Sequence, residues 1–124
     1  MSEGARKLVA VVDDDPRILE SLQELLESAG YDVRLHSSAG SLLASDVASI
    51  DCLITDVGMP VIDGFELRRR AKRLRPELPV FLISGRRELT ESKDGGELDA
   101  FFPKPFDGPT LLAAIAKAVQ STSG

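Results

Sequence analysis

The chain is short of several residue types, and each shortage closes a class of function. A single cysteine, Cys52, excludes an internal disulfide among the 124 residues. It lies in the apolar run DCLIT, where the expected role is a buried small hydrophobe rather than a reactive thiol. One histidine, His36, leaves zinc without a second soft ligand and a serine nucleophile without a base near its strand end. His36 is expected to be an ordinary half-exposed residue. No run approaches the ~18 apolar residues of a membrane span, and MSEGARK lacks the apolar core of a signal peptide. Basic residues are outnumbered, 15 Lys and Arg against 20 Asp and Glu, so the net charge of −5 gives no reason to expect nucleic-acid binding. What is present, 43% hydrophobic residues over the length of one domain, argues for a packed core. The expectation is a single cytoplasmic domain over 1–124, with about 7–120 as ordered core and 121–124 as a tail, and no membrane contact.

Two kinds of segment alternate. Apolar, β-branched runs stand at 8–12 (LVAVV), 31–36 (YDVRLH), 51–55 (DCLIT) and 79–84 (PVFLIS), with a weaker one at 99–102 (DAFF). Continuous apolar runs of this length suit strands of a parallel sheet buried on both faces. Between them, helical spacing appears at 16–29, ended by Gly30, at 38–45, at 64–75 and at 109–120. In the third of these, Leu67, Ala71 and Leu74 form one stripe, and Pro76 stops the helix. Strands alternating with helices imply right-handed crossovers. The expected fold is an α/β, flavodoxin-like, doubly wound five-stranded parallel sheet of order 2-1-3-4-5, whose chemistry sits at the carboxyl ends of the strands.

Strand 1 ends in Asp13-Asp14-Asp15-Pro16. Asp15 before Pro16 is explained as a helix cap; Asp13 and Asp14 are not. Strand 3 ends in Asp56, and in this strand order it neighbours strand 1. Three carboxylates that converge repel one another unless a cation lies among them. Oxygen ligands of this kind suit Mg²⁺, which keeps waters and a phosphate oxygen in its shell. Strand 4 ends at Ser84-Gly85, a hydroxyl able to donate to an oxyanion, and strand 5 leads to Lys104, held between Pro103 and Pro105 as an aimed charge. Three acids, a hydroxyl and a lysine suit phosphoryl transfer to a carboxylate, with Asp56 attacking in line. Whether Lys104-Pro105 is cis or trans is open at this level.

These pieces resemble the receiver domains of two-component response regulators. The resemblance rests on VVDDDP, DCLITDVGMPVIDGFEL, VFLISG and FFPKPF, in an order and spacing that cover nearly the whole chain. It implies that Asp56 is the phospho-acceptor and that Asp14 ligates Mg²⁺ directly (Mn²⁺ being an acceptable substitute). It gives Asp13 a role through water and the Gly58 carbonyl a place among the metal ligands. Ser84 would bind a phosphoryl oxygen, Lys104 would bridge phosphoryl and acids, and Phe101 takes the switch-aromatic position. Pro60 and Gly64 fit the loop into the third helix. The implied donor is a sensor histidine kinase or histidine phosphotransfer protein, with a downstream effector or a second copy receiving the signal. On this reading the domain is a switch that assists its own phosphorylation and dephosphorylation, and not an enzyme acting on other substrates.

The departure from the family pattern lies between Gly85 and Leu98, where GRRELTESKDGGEL has only Leu89 and Leu98 as large apolar residues. A short or irregular fourth helix is expected there. The third helix carries Arg68, Arg69, Arg70, Lys72, Arg73 and Arg75, read as a solvated face with an acidic docking partner as the alternative. Two other functions compete. A haloacid-dehalogenase-like phosphatase would need its nucleophile motif after strand 1, but Asp13-x-Asp15 is followed by Pro16 and Arg17. A degenerate receiver would act by protein docking alone. No helix-turn-helix pattern follows, so the chain reads as a stand-alone regulator or a piece of a longer one.

Overall fold

The computed structural model describes residues 6–85 and 101–123. The elements run β1 (Leu8–Val12), α1 (Pro16–Ser28), β2 (Asp32–His36), α2 (Ala39–Leu43), a 3-10 turn (Val47–Ser49) and β3 (Cys52–Asp56). They continue with α3 (Gly64–Leu74), β4 (Val80–Ser84), β5 (Phe101–Pro103) and α4 (Gly108–Ser123). The expected irregular fourth helix falls outside the described residues, so α4 here denotes the C-terminal helix. All five strands pair in parallel in the order β2-β1-β3-β4-β5, as expected.

The central strands are buried from end to end: every residue of β3 and β4, and four of five in β1. This is the physical reason their sequences run apolar without alternating. Each face of the sheet has its own core. On one, Ala10, Val12, Leu53 and Leu82 meet Leu42 of α2 and Leu67 and Ala71 of α3. On the other, Val9, Val11, Ile54 and Ile83 meet Leu22 and Leu26 of α1 and Leu111 and Ile115 of α4. Each fully buried leucine or isoleucine contributes roughly 1.5–3 kcal/mol.

Local chemistry sets the helix ends. Asp15 accepts from the Arg17 amide at 2.9 Å, with Pro16 opening α1, as expected of a cap. At the other end Gly30 takes φ of 96°, and Tyr31 N–H returns to the Leu26 carbonyl at 3.1 Å. Asp63 caps α3 by accepting from Glu66 N–H at 2.9 Å. Leu74, expected in the buried stripe of α3, is instead 60% exposed. It is the last helical residue, and Arg75 turns extended ahead of Pro76, which carries the leucine off the sheet.

The basic face of α3 is partly committed. Glu66 pairs with Arg69 at 2.6 Å and with Arg70 at 2.9 Å. Arg75 reaches back to the carbonyls of Val47, Ala48 and Ile50, closing the C-terminal side of the 3-10 turn.

Candidate functional site at the carboxyl edge of the sheet

Strand register brings the expected residues to one level. Val12 pairs with Thr55, so Asp13 and Asp56 leave neighbouring strands side by side. Asp56 pairs with Ile83, and Ser84 with Pro103, which sets Ser84 and Lys104 next in line. The Lys104 backbone N–H donates to the Ser84 carbonyl at 2.8 Å. The Lys104-Pro105 bond is cis.

The carboxylates of Asp13, Asp14 and Asp56 each offer an oxygen within 4.8 Å of the others. Lys104 Nζ lies 2.8 Å from Asp56 Oδ1 and 3.2 Å from Asp13 Oδ2. Asp13 is buried, and its other oxygen accepts from Asp15 N–H at 2.9 Å. Burial pushes the Asp13 carboxyl above its ordinary range. The Asp15 amide pulls it down, repulsion from Asp56 pushes it up again, and Lys104 offsets part of the rise. Burial works against the Lys104 ammonium, but its contacts with Asp56 and Asp13 outweigh that and raise its pKa. The ammonium therefore neutralises part of the acidic charge, as the bridging role expected of Lys104 requires.

The donors fit a hard divalent cation. They are all carboxylate oxygens, and Asp14 is exposed, so an ion there would retain water. Asp13 has each oxygen engaged by a protein donor, which suits contact through water better than direct ligation. Gly58 stands two residues beyond Asp56, exposed, with open space where a Cβ would project. Ser84 is buried at the end of β4. Phe101, at the start of β5, is half-buried on the α3 side of the sheet.

A family profile, the response regulator receiver domain, matches residues 9–116. The chain belongs to this family. The response regulator protein TodT of Pseudomonas putida is 37% identical over 125 residues, covering 97% of this chain and 54% of TodT. The transcriptional regulatory protein FixJ of Bradyrhizobium diazoefficiens is 35% identical over 115 residues, covering 90% of this chain and 56% of FixJ. Thus the chain spans about half the length of these curated relatives. Among solved structures, a receiver domain of Clostridium thermocellum superposes with a TM-score of 0.84 at 27% identity, covering 94% of this chain and 97% of that one. A CheY-like receiver of Methanospirillum hungatei gives 0.83 at 30%, covering 94% and 96%.

The family match is to receivers and not to the haloacid-dehalogenase-like phosphatases, and both Asp15 oxygens are engaged by Arg17 in the helix cap. His36, like Leu74, departs from expectation. His36 is buried, 8% exposed, because it closes β2 beneath α2, where Nδ1 meets Ser41 Oγ at 2.8 Å. Its Nε2 has no hydrogen-bond partner among the described residues, and burial, then the charge of Arg34, lowers its pKa. Cys52 is buried as expected, and burial pushes its thiol far up, out of reactive range.

Two receiver residues escaped the sequence reading. Thr55 is fully buried and its hydroxyl donates to the Asp56 carbonyl at 3.0 Å; the signal was one polar residue in an apolar strand. Phe65 meets Phe101 edge-on, with ring centroids 6.1 Å apart and planes at 64°. Nothing in linear spacing announces that contact. Among the described residues no helix is long and apolar enough to cross a membrane.

Proposed function

We propose that Asp56 is the phosphoryl acceptor of this receiver and that the donor is the phosphohistidine of a sensor histidine kinase or histidine phosphotransfer protein. The observation that carries this is Lys104 Nζ at 2.8 Å from Asp56 Oδ1, in a pocket where three carboxylates gather. A carboxylate oxygen of Asp56 attacks phosphorus, the P–N bond to the donor imidazole breaks, and an acyl phosphate forms. Asp14, Asp56 and the Gly58 carbonyl, with Asp13 through water, would hold Mg²⁺, or Mn²⁺ in its place, which would supply positive charge to the phosphoryl oxygens.

Lys104 sits close enough to hand its ammonium from the resting carboxylate to a phosphoryl oxygen, so the same group serves both states. Ser84, at the end of the next strand, gives a hydroxyl to another oxygen. Its movement makes room for Phe101, and the acyl phosphate thereby biases a two-state equilibrium read by an effector or a second copy. Attack of water on the acyl phosphate, assisted by the same pocket, resets the switch without turnover of any other substrate. This signalling role belongs in the cytoplasm, with no direct contact to nucleic acid by this domain.

The test is intact mass after incubation with acetyl phosphate and Mg²⁺. One phosphoryl group should be gained, and lost again in Asp56→Asn and on chelation. An unchanged mass in the native chain, or equal labelling of Asp56→Asn, overturns the assignment.

A further inference from the structure

Asp56 is joined to β5 by two routes. The first is the Lys104 ion pair. The second is made of packing, beginning at Gly64. A Cβ on Gly64 would lie 2.4 Å from the Asp56 carbonyl oxygen and 2.8 Å from Val57 Cα, so the first turn of α3 rests directly on the backbone that carries the acceptor. The Gly64 N–H fixes this seat by donating to the Val57 carbonyl at 2.9 Å. The next residue is Phe65, whose ring meets that of Phe101 edge-on at 6.1 Å. Phe101 pairs with Leu82, two residues before Ser84, so Phe101 and Ser84 share one face of the sheet.

We propose that Phe65 is a positioning residue of the switch, holding the Phe101 ring in its resting, half-buried place and linking that ring through Gly64 to the backbone of Asp56. The geometry suits this better than general packing. Edge-to-face rings attract in a fixed orientation, which aliphatic contacts do not impose. Phe65 is the second residue of α3, next to the Gly64 that rests on the Asp56 backbone, so a shift of that backbone is passed to it directly. The inference rests on the reading of Asp56 as acceptor and of Phe101 as the ring that moves.

A holding contact has a thermodynamic signature opposite to that of a merely structural one. If Phe65 stabilises the resting placement of Phe101, its loss raises the fraction of chains already in the activated placement. Any ligand that selects the activated state then binds more tightly by the same factor. The attraction of one aromatic pair corresponds to roughly a 2- to 10-fold change.

The experiment measures the affinity of the full chain for beryllium fluoride with Mg²⁺, a mimic of a carboxyl-bound phosphoryl group, in the native protein, Phe65→Leu and Phe65→Tyr. In parallel, ¹⁹F spectra of fluorophenylalanine-labelled protein follow Phe101, assigned through Phe101→Leu. Phe65→Leu should bind roughly 2- to 10-fold more tightly, and its ligand-free Phe101 signal should move toward the position seen in the native complex. Phe65→Tyr keeps the ring and should behave as the native chain. Unchanged or weaker binding in Phe65→Leu, with native binding intact, overturns the role of Phe65 and leaves the acceptor standing. A native chain that binds no beryllium fluoride and gains no phosphoryl group from acetyl phosphate overturns both.

Discussion

Replacing Lys104 with Met keeps most of the side-chain volume and removes the charge, so it isolates the electrostatics of the pocket. Two contacts vanish, 2.8 Å to Asp56 and 3.2 Å to Asp13, and the two carboxylates are left facing each other. Breaking a buried ion pair on one side costs about 3–5 kcal/mol. Lys104 retains 23% side-chain exposure, while the side chains of Asp13 and Asp56 retain 2% and 9%. Solvent access on the lysine side therefore brings the expected loss to about 2–3 kcal/mol. With a urea slope of about 1–3 kcal/mol per molar for a small domain, the midpoint should fall by roughly 0.7–3 M. Added Mg²⁺ should restore more stability to the variant than to the native chain, because the metal then has no ammonium to compete with. Saturation at a hundred times its Kd returns about 2.7 kcal/mol. Urea unfolding followed by far-UV circular dichroism, with and without Mg²⁺, measures both quantities. Equal Mg²⁺ increments in the two proteins, or a midpoint shift under about 0.3 M, would refute the view that Lys104 is the resting counter-ion of these acids.

Two further perturbations probe other parts of the same edge. Gly64→Ala would gain about 1 kcal/mol from helix propensity but drives a methyl into backbone atoms at 2.4 and 2.8 Å, which cannot rotate aside. Overpacking of this kind costs about 1–3 kcal/mol or more, so thermal unfolding should show a net loss and acetyl phosphate labelling should slow; a stabilised variant labelling at native rate contradicts the close seat. His36 has its pKa lowered by burial, so its neutral form contributes stability that is present above the unfolded value of 6.5 and is lost as pH falls through the lower folded value. His36→Phe should accordingly flatten the stability profile on the acid side of 6.5, and a slope as steep as the native one would show that His36 does not titrate between the two states.

Much of this fold is legible in the sequence. LVAVV, DCLIT and VFLIS announce strands because both faces of a central parallel strand are covered, leaving no polar alternation to confuse the reading. The site followed from where those runs stop, since Asp13, Asp56, Ser84 and Lys104 each close a strand or follow one directly. What stayed hidden depends on contacts between distant segments. Leu74 has the right period to be buried, yet the helix ends under it. His36 looks like an edge residue in sequence, and only the approach of Ser41 and α2 covers it. The Lys104 ammonium lies 91 residues from Asp13 along the chain, and its bridge to the acids was implied by the family resemblance and by no local pattern.

That ammonium also sets the formal charge at the edge of the sheet. Three carboxyl groups and one ammonium meet at this edge, so its full formal charge is two negative units, the amount one doubly charged ion would cancel. A singly charged ion would leave such an edge with one negative unit. Mutating the lysine to a neutral residue would make that formal charge one unit more negative while keeping every carboxyl group in place.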